Sequence, residues 1–236
     1  MRELFRYPVC RRCVTSPEPL AAEFFCVSCR TPFQNAFPLD AEGRCALCRS
    51  GARGFDAAYS FGAYEGVLRQ LIHLYKYARI KTLAGPLANL LARAMPLDEP
   101  FDAIVPVPLH WLRRWKRGFN QSELLARALS RRTGIPIVKA LRRTQATRVQ
   151  AGLSNHARRR NVTRAFRARP VGGKRMLLID DVMTTGSTAA ACALALKRAG
   201  AARVGVLTVG RADRRLRGMG LAGSDAALPD FEVGGE

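Results

Sequence analysis

The segment Met176-Leu-Leu-Ile-Asp-Asp-Val-Met-Thr-Thr-Gly-Ser-Thr188 constrains this chain more than any other. Met176 to Ile179 is an apolar run too short for a helix and bounded by charge, which predicts a buried strand. Thr184 to Thr188 is a short loop of hydroxyl side chains around Gly186, and Ala189 to Ala199 carries the apolar periodicity of a helix. Strand, loop and helix in that order aim the loop's backbone N–H groups at whatever lies above the helix N-terminus. Those donors, the helix dipole and the loop hydroxyls favour an anion of phosphate type. Asp180 and Asp181 would repel such an anion, but paired carboxylates accept hydrogen bonds from two adjacent hydroxyls. A ribose 5-phosphate satisfies both halves.

Two other readings compete for this segment. A Walker B strand requires a Gly-x-x-x-x-Gly-Lys-Ser/Thr loop elsewhere, and the sequence contains none. A plain strand-to-helix turn with Ser or Thr caps is common. Two acids, two threonines, a glycine and a Ser-Thr pair in one order favour the sugar-phosphate site.

Around this segment the pattern alternates. Asp56 to Tyr64 reads as a strand, Val67 to Tyr77 and Leu83 to Met95 as helices (Pro86 in a tolerated first-turn position), and Asp102 to Val105 as a short strand running into Pro106-Val-Pro108. Asn120-Gln-Ser-Glu123 is a capping box opening a helix to Thr133, which Gly134-Ile-Pro136 ends. Ile137 to Leu141 is a strand candidate. Thr144 to Ser154 is expected to be a mobile loop, followed by a basic helix reaching about Val162. Val204 to Val209 closes a β-α-β unit. Strands alternating with helices imply an α/β fold with a parallel sheet, whose ligands sit at the carboxyl ends of the strands.

Six of the seven cysteines form Cys-x-x-Cys pairs, and Cys26-x2-Cys29-x15-Cys45-x2-Cys48 has the spacing of a zinc ribbon. Four thiolates would hold a structural zinc and organise a segment too small to fold alone. Cys10 and Cys13 are the alternative pair. Cys192 stands alone and is read as a small buried residue. A purely redox or structural cysteine protein would account for residues 1–54 only. The expected organisation is therefore a cysteine-rich module over 1–54, an α/β domain over 55–212 and a loose tail over 213–236.

Net charge is +21, and only six of the 39 basic residues are Lys. Such an excess suits an anionic partner such as nucleic acid. The arginine bias, with abundant Ala and Gly, equally suits the coding bias of a GC-rich genome. No apolar run approaches the roughly 20 residues that span a bilayer, and Met1-Arg-Glu-Leu-Phe-Arg-Tyr-Pro8 is unlike a signal peptide. A cytoplasmic protein without membrane insertion is expected, of undetermined oligomeric state.

Asp180-Asp181-Val182-Met183-Thr184-Thr185-Gly186-Ser187-Thr188 resembles the phosphoribosyl pyrophosphate (PRPP) loop of type I phosphoribosyltransferases. Val105-Pro-Val-Pro-Leu-His110, Arg117-Gly-Phe-Asn-Gln121, Gln150-Ala-Gly-Leu-Ser154 and Arg158-Arg-Arg-Asn-Val162 narrow the resemblance to the ComF family, over about residues 55–212. That resemblance implies a phosphoribosyltransferase-like sheet flanked by helices behind an N-terminal zinc ribbon. It implies PRPP binding with magnesium, and a place in DNA uptake during natural competence. Thr184 to Thr188 would cradle the 5-phosphate; Asp180 and Asp181 would hold the ribose hydroxyls and offset positive charge developing on the sugar. Lys76, Pro108, His110, Arg117, Gln150 and Arg158 would serve the pyrophosphate or the closing flap, with Arg117 also a catalytic candidate. Single-stranded DNA and a DNA-uptake helicase are the implied macromolecular partners. A non-catalytic PRPP or nucleotide sensor that engages them is the competing function. No set of residues reads a particular purine, pyrimidine or amine as acceptor.

Overall fold

The computed structural model describes residues 9–51, 53–109, 118–144 and 165–212. Its centre is a four-stranded, all-parallel sheet of β3 (Ala57–Ala63), β4 (Ala103–Pro106), β7 (Arg175–Met183) and β8 (Arg203–Arg211), in the order β3-β8-β7-β4. The apolar run of β7 is buried on both faces, so its side chains divide by parity. Met176 and Leu178 join one core cluster, Leu177 and Ile179 the other. The helices α3 (Gly66–Lys76), α4 (Ala84–Ala94) and α5 (Gln121–Thr133) cover the Leu177 face, and α6 (Ser187–Arg198) covers the Met176 face. The parallel α/β architecture expected from the alternating pattern is the one observed.

The chain leaves β4 for α5 on one face and leaves β7 for α6 on the other. This divergence opens a crevice between the carboxyl ends of β4 and β7. Pairing of β4 with β7 stops at Pro106↔Ile179, whereas β7 runs on beside β8 through Asp180↔Thr208 to Met183↔Arg211. The strand therefore includes both acids rather than ending before them. Pro106 itself closes β4, a position where a missing N–H is tolerated.

Three further expectations shift. Ile137 forms only a single bridge to Ile104, and the strand proper is β5 (Leu141–Arg143), paired antiparallel with β6 (Phe166–Ala168). Glu123 does not complete a capping box. Asn120 accepts from the Ser122 N–H at 3.1 Å, but Glu123 turns to Lys139 and Arg127, each at 2.7 Å. The helix α6 begins at Ser187, two residues before its apolar periodicity, because Gly186 adopts a left-handed φ of 73° and turns the chain into it.

The cysteine-rich segment contains α1 (Arg11–Thr15), the hairpin β1 (Phe24–Phe25) and β2 (Pro32–Phe33), and α2 (Ala46–Arg49). It covers the exposed edge of β3: the Leu20 N–H donates to the Phe61 carbonyl and the Ala58 N–H to the Cys29 carbonyl. Capping an edge strand in this way removes a template for unwanted pairing. Cys26, Cys29, Phe33, Cys45 and Leu47 belong to the same buried cluster as α6.

Candidate functional site

The acid pair sits at the crevice. Asp180 Oδ1 accepts from the Ser122 hydroxyl and from the Asp181 N–H, each at 2.9 Å. Ser122 is delivered by the second residue of α5, whose start is fixed by the Asn120 cap; the Asn120 amide also donates to the Val107 carbonyl at 3.1 Å. Asp181, only 8% exposed, lies 2.9 Å from the Lys76 ammonium at the end of α3. Lys76 in turn lies 5.9 Å from the Tyr64 ring centroid. The two acids have different partners and so different duties. Asp181 is bound to a cation on the α3 side, while Asp180 lines the cavity formed by residues 182–189 and Thr208.

Burial first, and the neighbouring Asp181 charge second, push Asp180 up to about 7, against the opposing pull of Lys76 and the Ser122 hydroxyl. Burial lowers the Lys76 pKa, but Asp181 and Asp180 outweigh it and the net shift is upward. The site thus holds one settled ion pair and one carboxyl whose charge is poised. A ligand that donates hydroxyl hydrogen bonds, or brings a cation, favours its ionised form.

The loop after β7 supplies the other half. Gly186 is buried with a left-handed φ of 73°, which favours glycine, and a Cβ built on it would stand 2.7 Å from Met183 Cε and 2.8 Å from Leu47 Cδ1, so both side chains would have to shift. The Thr185 and Ser187 hydroxyls are 3.0 Å apart, and the Ser187 N–H points at Thr185 Oγ1 at 3.4 Å. Thr208 on β8 adds a hydroxyl, held 2.7 Å from Ser60. Val182, Met183, Thr184, Thr185, Gly186, Ser187 and Thr188 all line one cavity of about 60 Å³ above the N-terminus of the twelve-residue α6. Donors, dipole and hydroxyls converge there as an anion requires.

Of the other candidates, Pro108 is half-buried just beyond β4, where the Val107 N–H donates to the Ile179 carbonyl at 3.0 Å. His110, Arg117, Gln150 and Arg158, together with the expected mobile loop, basic helix and tail, lie outside the described residues. Cys192 is fully buried in α6, as expected. Ser122 and Thr208 were missed. Ser122 looked like part of a cap, and Thr208 like one polar residue in a strand.

The second cluster is the tetrad. The Cys26 and Cys48 sulfurs are 3.6 Å apart and the Cys29 and Cys45 sulfurs 3.7 Å, with all four within 4.8 Å of one another. Ligands about 2.3 Å from a tetrahedral zinc stand ~3.8 Å apart, so these sulfurs already define the shell of such an ion. The hydrogen bond from Cys29 pulls Cys45 down to about 5, while burial pushes Cys48 up to about 12. Cys10 and Cys13 form a separate pair, 3.0 Å apart at the start of α1, and are not part of the tetrad.

The fold and site together define a parallel α/β protein with a paired-acid, anion-ready pocket at its switch point and a four-cysteine ribbon docked beside it. No family model matches the chain. It is 41% identical over 171 residues to the DNA utilization protein YhgH of Escherichia coli K12, covering 69% of this chain and 75% of that protein. It is 34% identical over 180 residues to Competence protein F of Haemophilus influenzae, covering 71% and 78% of the two chains. The chain therefore belongs to the ComF family. Among solved structures, it is similar to a glutamine PRPP amidotransferase from B. subtilis in complex with ADP and GMP, at 25% identity and a TM-score of 0.39, over 54% of this chain and 26% of that one. Among the described residues, no helix is long and apolar enough to cross a membrane.

Proposed function

We propose that this protein binds PRPP with magnesium through Asp180 to Thr188 and transfers its ribose 5-phosphate to an acceptor. One observation carries the reading: a poised carboxylate, Asp180, and a glycine-turned helix N-terminus ringed by hydroxyls line the same cavity. The 5-phosphate takes the Thr184–Thr188 N–H groups and hydroxyls, and the ribose hydroxyls donate to Asp180. Asp181 holds Lys76 at the crevice, and the ionised form of Asp180 supplies negative potential that would favour magnesium, which prefers oxygen ligands and retains waters. As the C1–O bond breaks, these carboxylates offset positive charge on the sugar. Arg117 and the basic segment around Arg158 remain the candidates for the leaving pyrophosphate. The tetrad holds a structural zinc, since four sulfur ligands leave no open position. The setting is cytoplasmic.

The test is calorimetric titration of PRPP with magnesium into wild type and into the Asp180→Asn, Asp181→Asn double variant. Binding by wild type, lost in the variant, is expected. No heat from folded, zinc-loaded wild type would sink the reading. A second reading, a PRPP-sensing module that engages single-stranded DNA or a helicase, draws support from the net charge of +21 and from relatives named for DNA utilization and competence.

A further inference from the structure

The phosphate loop is held from behind by the cysteine ribbon, through two contacts. Leu47 lies on α2 between Cys45, which caps that helix, and Cys48. It is buried, and its Cδ1 presses on the α-carbon side of Gly186, where a Cβ would come within 2.8 Å. Arg211, the last residue of β8, is only 6% exposed. Its guanidinium donates to the Thr184 carbonyl and, at 3.4 Å, to the Met183 carbonyl, and lies 4.8 Å from the Phe33 ring centroid. Phe33 is itself buried on β2, two residues from Thr31, whose hydroxyl is 3.0 Å from Cys29 Sγ.

Each contact on the loop is thus a step or two from a sulfur of the tetrad. We infer that the ribbon is the support of the phosphate loop, so that metal in the tetrad and sugar phosphate in the loop strengthen each other's binding through Leu47 and Arg211. This rests on the reading of Asp180 to Thr188 as a sugar-phosphate site.

The physical basis is the weakness of the ribbon on its own. A four-residue helix such as α2 has no internal stability, because nucleation is unfavourable and there is no length over which to recover it. A structural ion supplies that ordering energy directly. Once the ion fixes Cys45 and Cys48, Leu47 is fixed against Gly186, and the left-handed turn that starts α6 is braced. Once it fixes Cys29, Thr31 and Phe33 hold the Arg211 ring contact, and Arg211 holds two carbonyls at the root of the loop. Coupling between two binding events is reciprocal: whatever zinc does for sugar phosphate, sugar phosphate does for zinc.

The experiment uses the full chain loaded with one zinc. Release of zinc to a chromogenic chelator insensitive to magnesium is timed alone, with PRPP and magnesium, and with ribose 5-phosphate, which lacks the metal-binding pyrophosphate. PRPP affinity is measured in parallel by calorimetry. Wild type is expected to release zinc about fivefold more slowly, or slower still, with either ligand, in the usual range of such couplings. Leu47→Ala is expected to retain one zinc, lose that slowing and bind PRPP at least about fivefold more weakly. If Leu47→Ala cannot be loaded, Phe33→Leu, which keeps an apolar side chain but removes the ring beneath Arg211, should show the same uncoupling. PRPP binding by wild type with an unchanged zinc release rate overturns the inference and leaves the site reading intact. No PRPP binding by zinc-loaded wild type overturns both.

Discussion

Asp180 carries the chemistry of the crevice and a cost to the fold. Its folded pKa, up to about 7, lies above the roughly 3.9 of an unfolded aspartate. Between those values the folded state binds more protons than the unfolded state, so stability falls as pH rises from about 4 to about 7 and the penalty then stays constant. Below about pH 4 both states are protonated and there is no penalty. Asp180→Asn should therefore raise the melting temperature at pH 7.5, by about 2–8 °C, and have little effect near pH 4. Ser122→Ala removes a donor that favours the carboxylate, so its downward trend with pH should extend further upward than in wild type. Thermal melts from pH 4 to 8 on the three proteins decide this; an Asp180→Asn curve parallel to wild type would remove Asp180 as the poised group. The acid pair itself was legible in the sequence, because its residue types and order are local. Its partners were not: Ser122 lies 58 positions from Asp180, and only the packing of α5 against β7 brings them together. Lys76 was legible as a basic residue of interest, but not as the counter-ion of Asp181.

At the scale of elements, what the sequence disclosed was whatever punctuation made local. Pro86, Gly134 and the buried run of β7 each act on their own segment, and the helices and strands around them stand within a residue or two of expectation, except that β7 continues to Met183 because β8 pairs with it past the acids. The strand near 137–141 fell elsewhere because strand identity is settled by a partner. The partner of β5 is β6, which returns only at Phe166. Gly186 joins both kinds of information. Its position before the helix was plain, but the close approach of Leu47 from a segment 139 residues earlier was not. Gly186→Ala meets two penalties, a left-handed φ of 73° and a Cβ crowded by Met183 and Leu47. It should cost about 1–3 kcal/mol of stability, from the strained backbone alone. Because the strain falls on the turn that aims the loop N–H groups, sugar-phosphate binding should also be lost even where the protein stays folded. Urea denaturation with PRPP titration measures both. A variant that binds as wild type does would show that the turn is not part of the anion site.

The whole molecule carries a charge that its fold does not require. Within the described residues many cations already have partners: Lys76 with Asp181, Arg127 and Lys139 with Glu123, Lys197 with Asp56, Arg175 with Asp102. Such pairs cancel locally, yet the chain retains +21, and the runs Arg113-Arg114 and Arg158-Arg159-Arg160 lie outside the described residues. Coding bias and nucleic-acid binding both explain an arginine excess, and sequence cannot separate them because neither fixes where the charges lie. Salt can. A surface that neutralises Z phosphates of a single strand loses affinity with a slope of about −0.7Z in log K against log salt. For a strand bound across several arginines, anisotropy titrations between 50 and 200 mM salt should fall with a slope of about −3 or steeper. PRPP gives the second axis. If the strand uses the basic surface alone, saturating PRPP leaves its affinity unchanged; if a strand's terminal 5-phosphate enters the Thr184–Thr188 loop, PRPP competes. Undetectable binding at 50 mM salt would assign the charge to composition and leave contact with nucleotide chemistry, among the described residues, to the sugar-phosphate pocket.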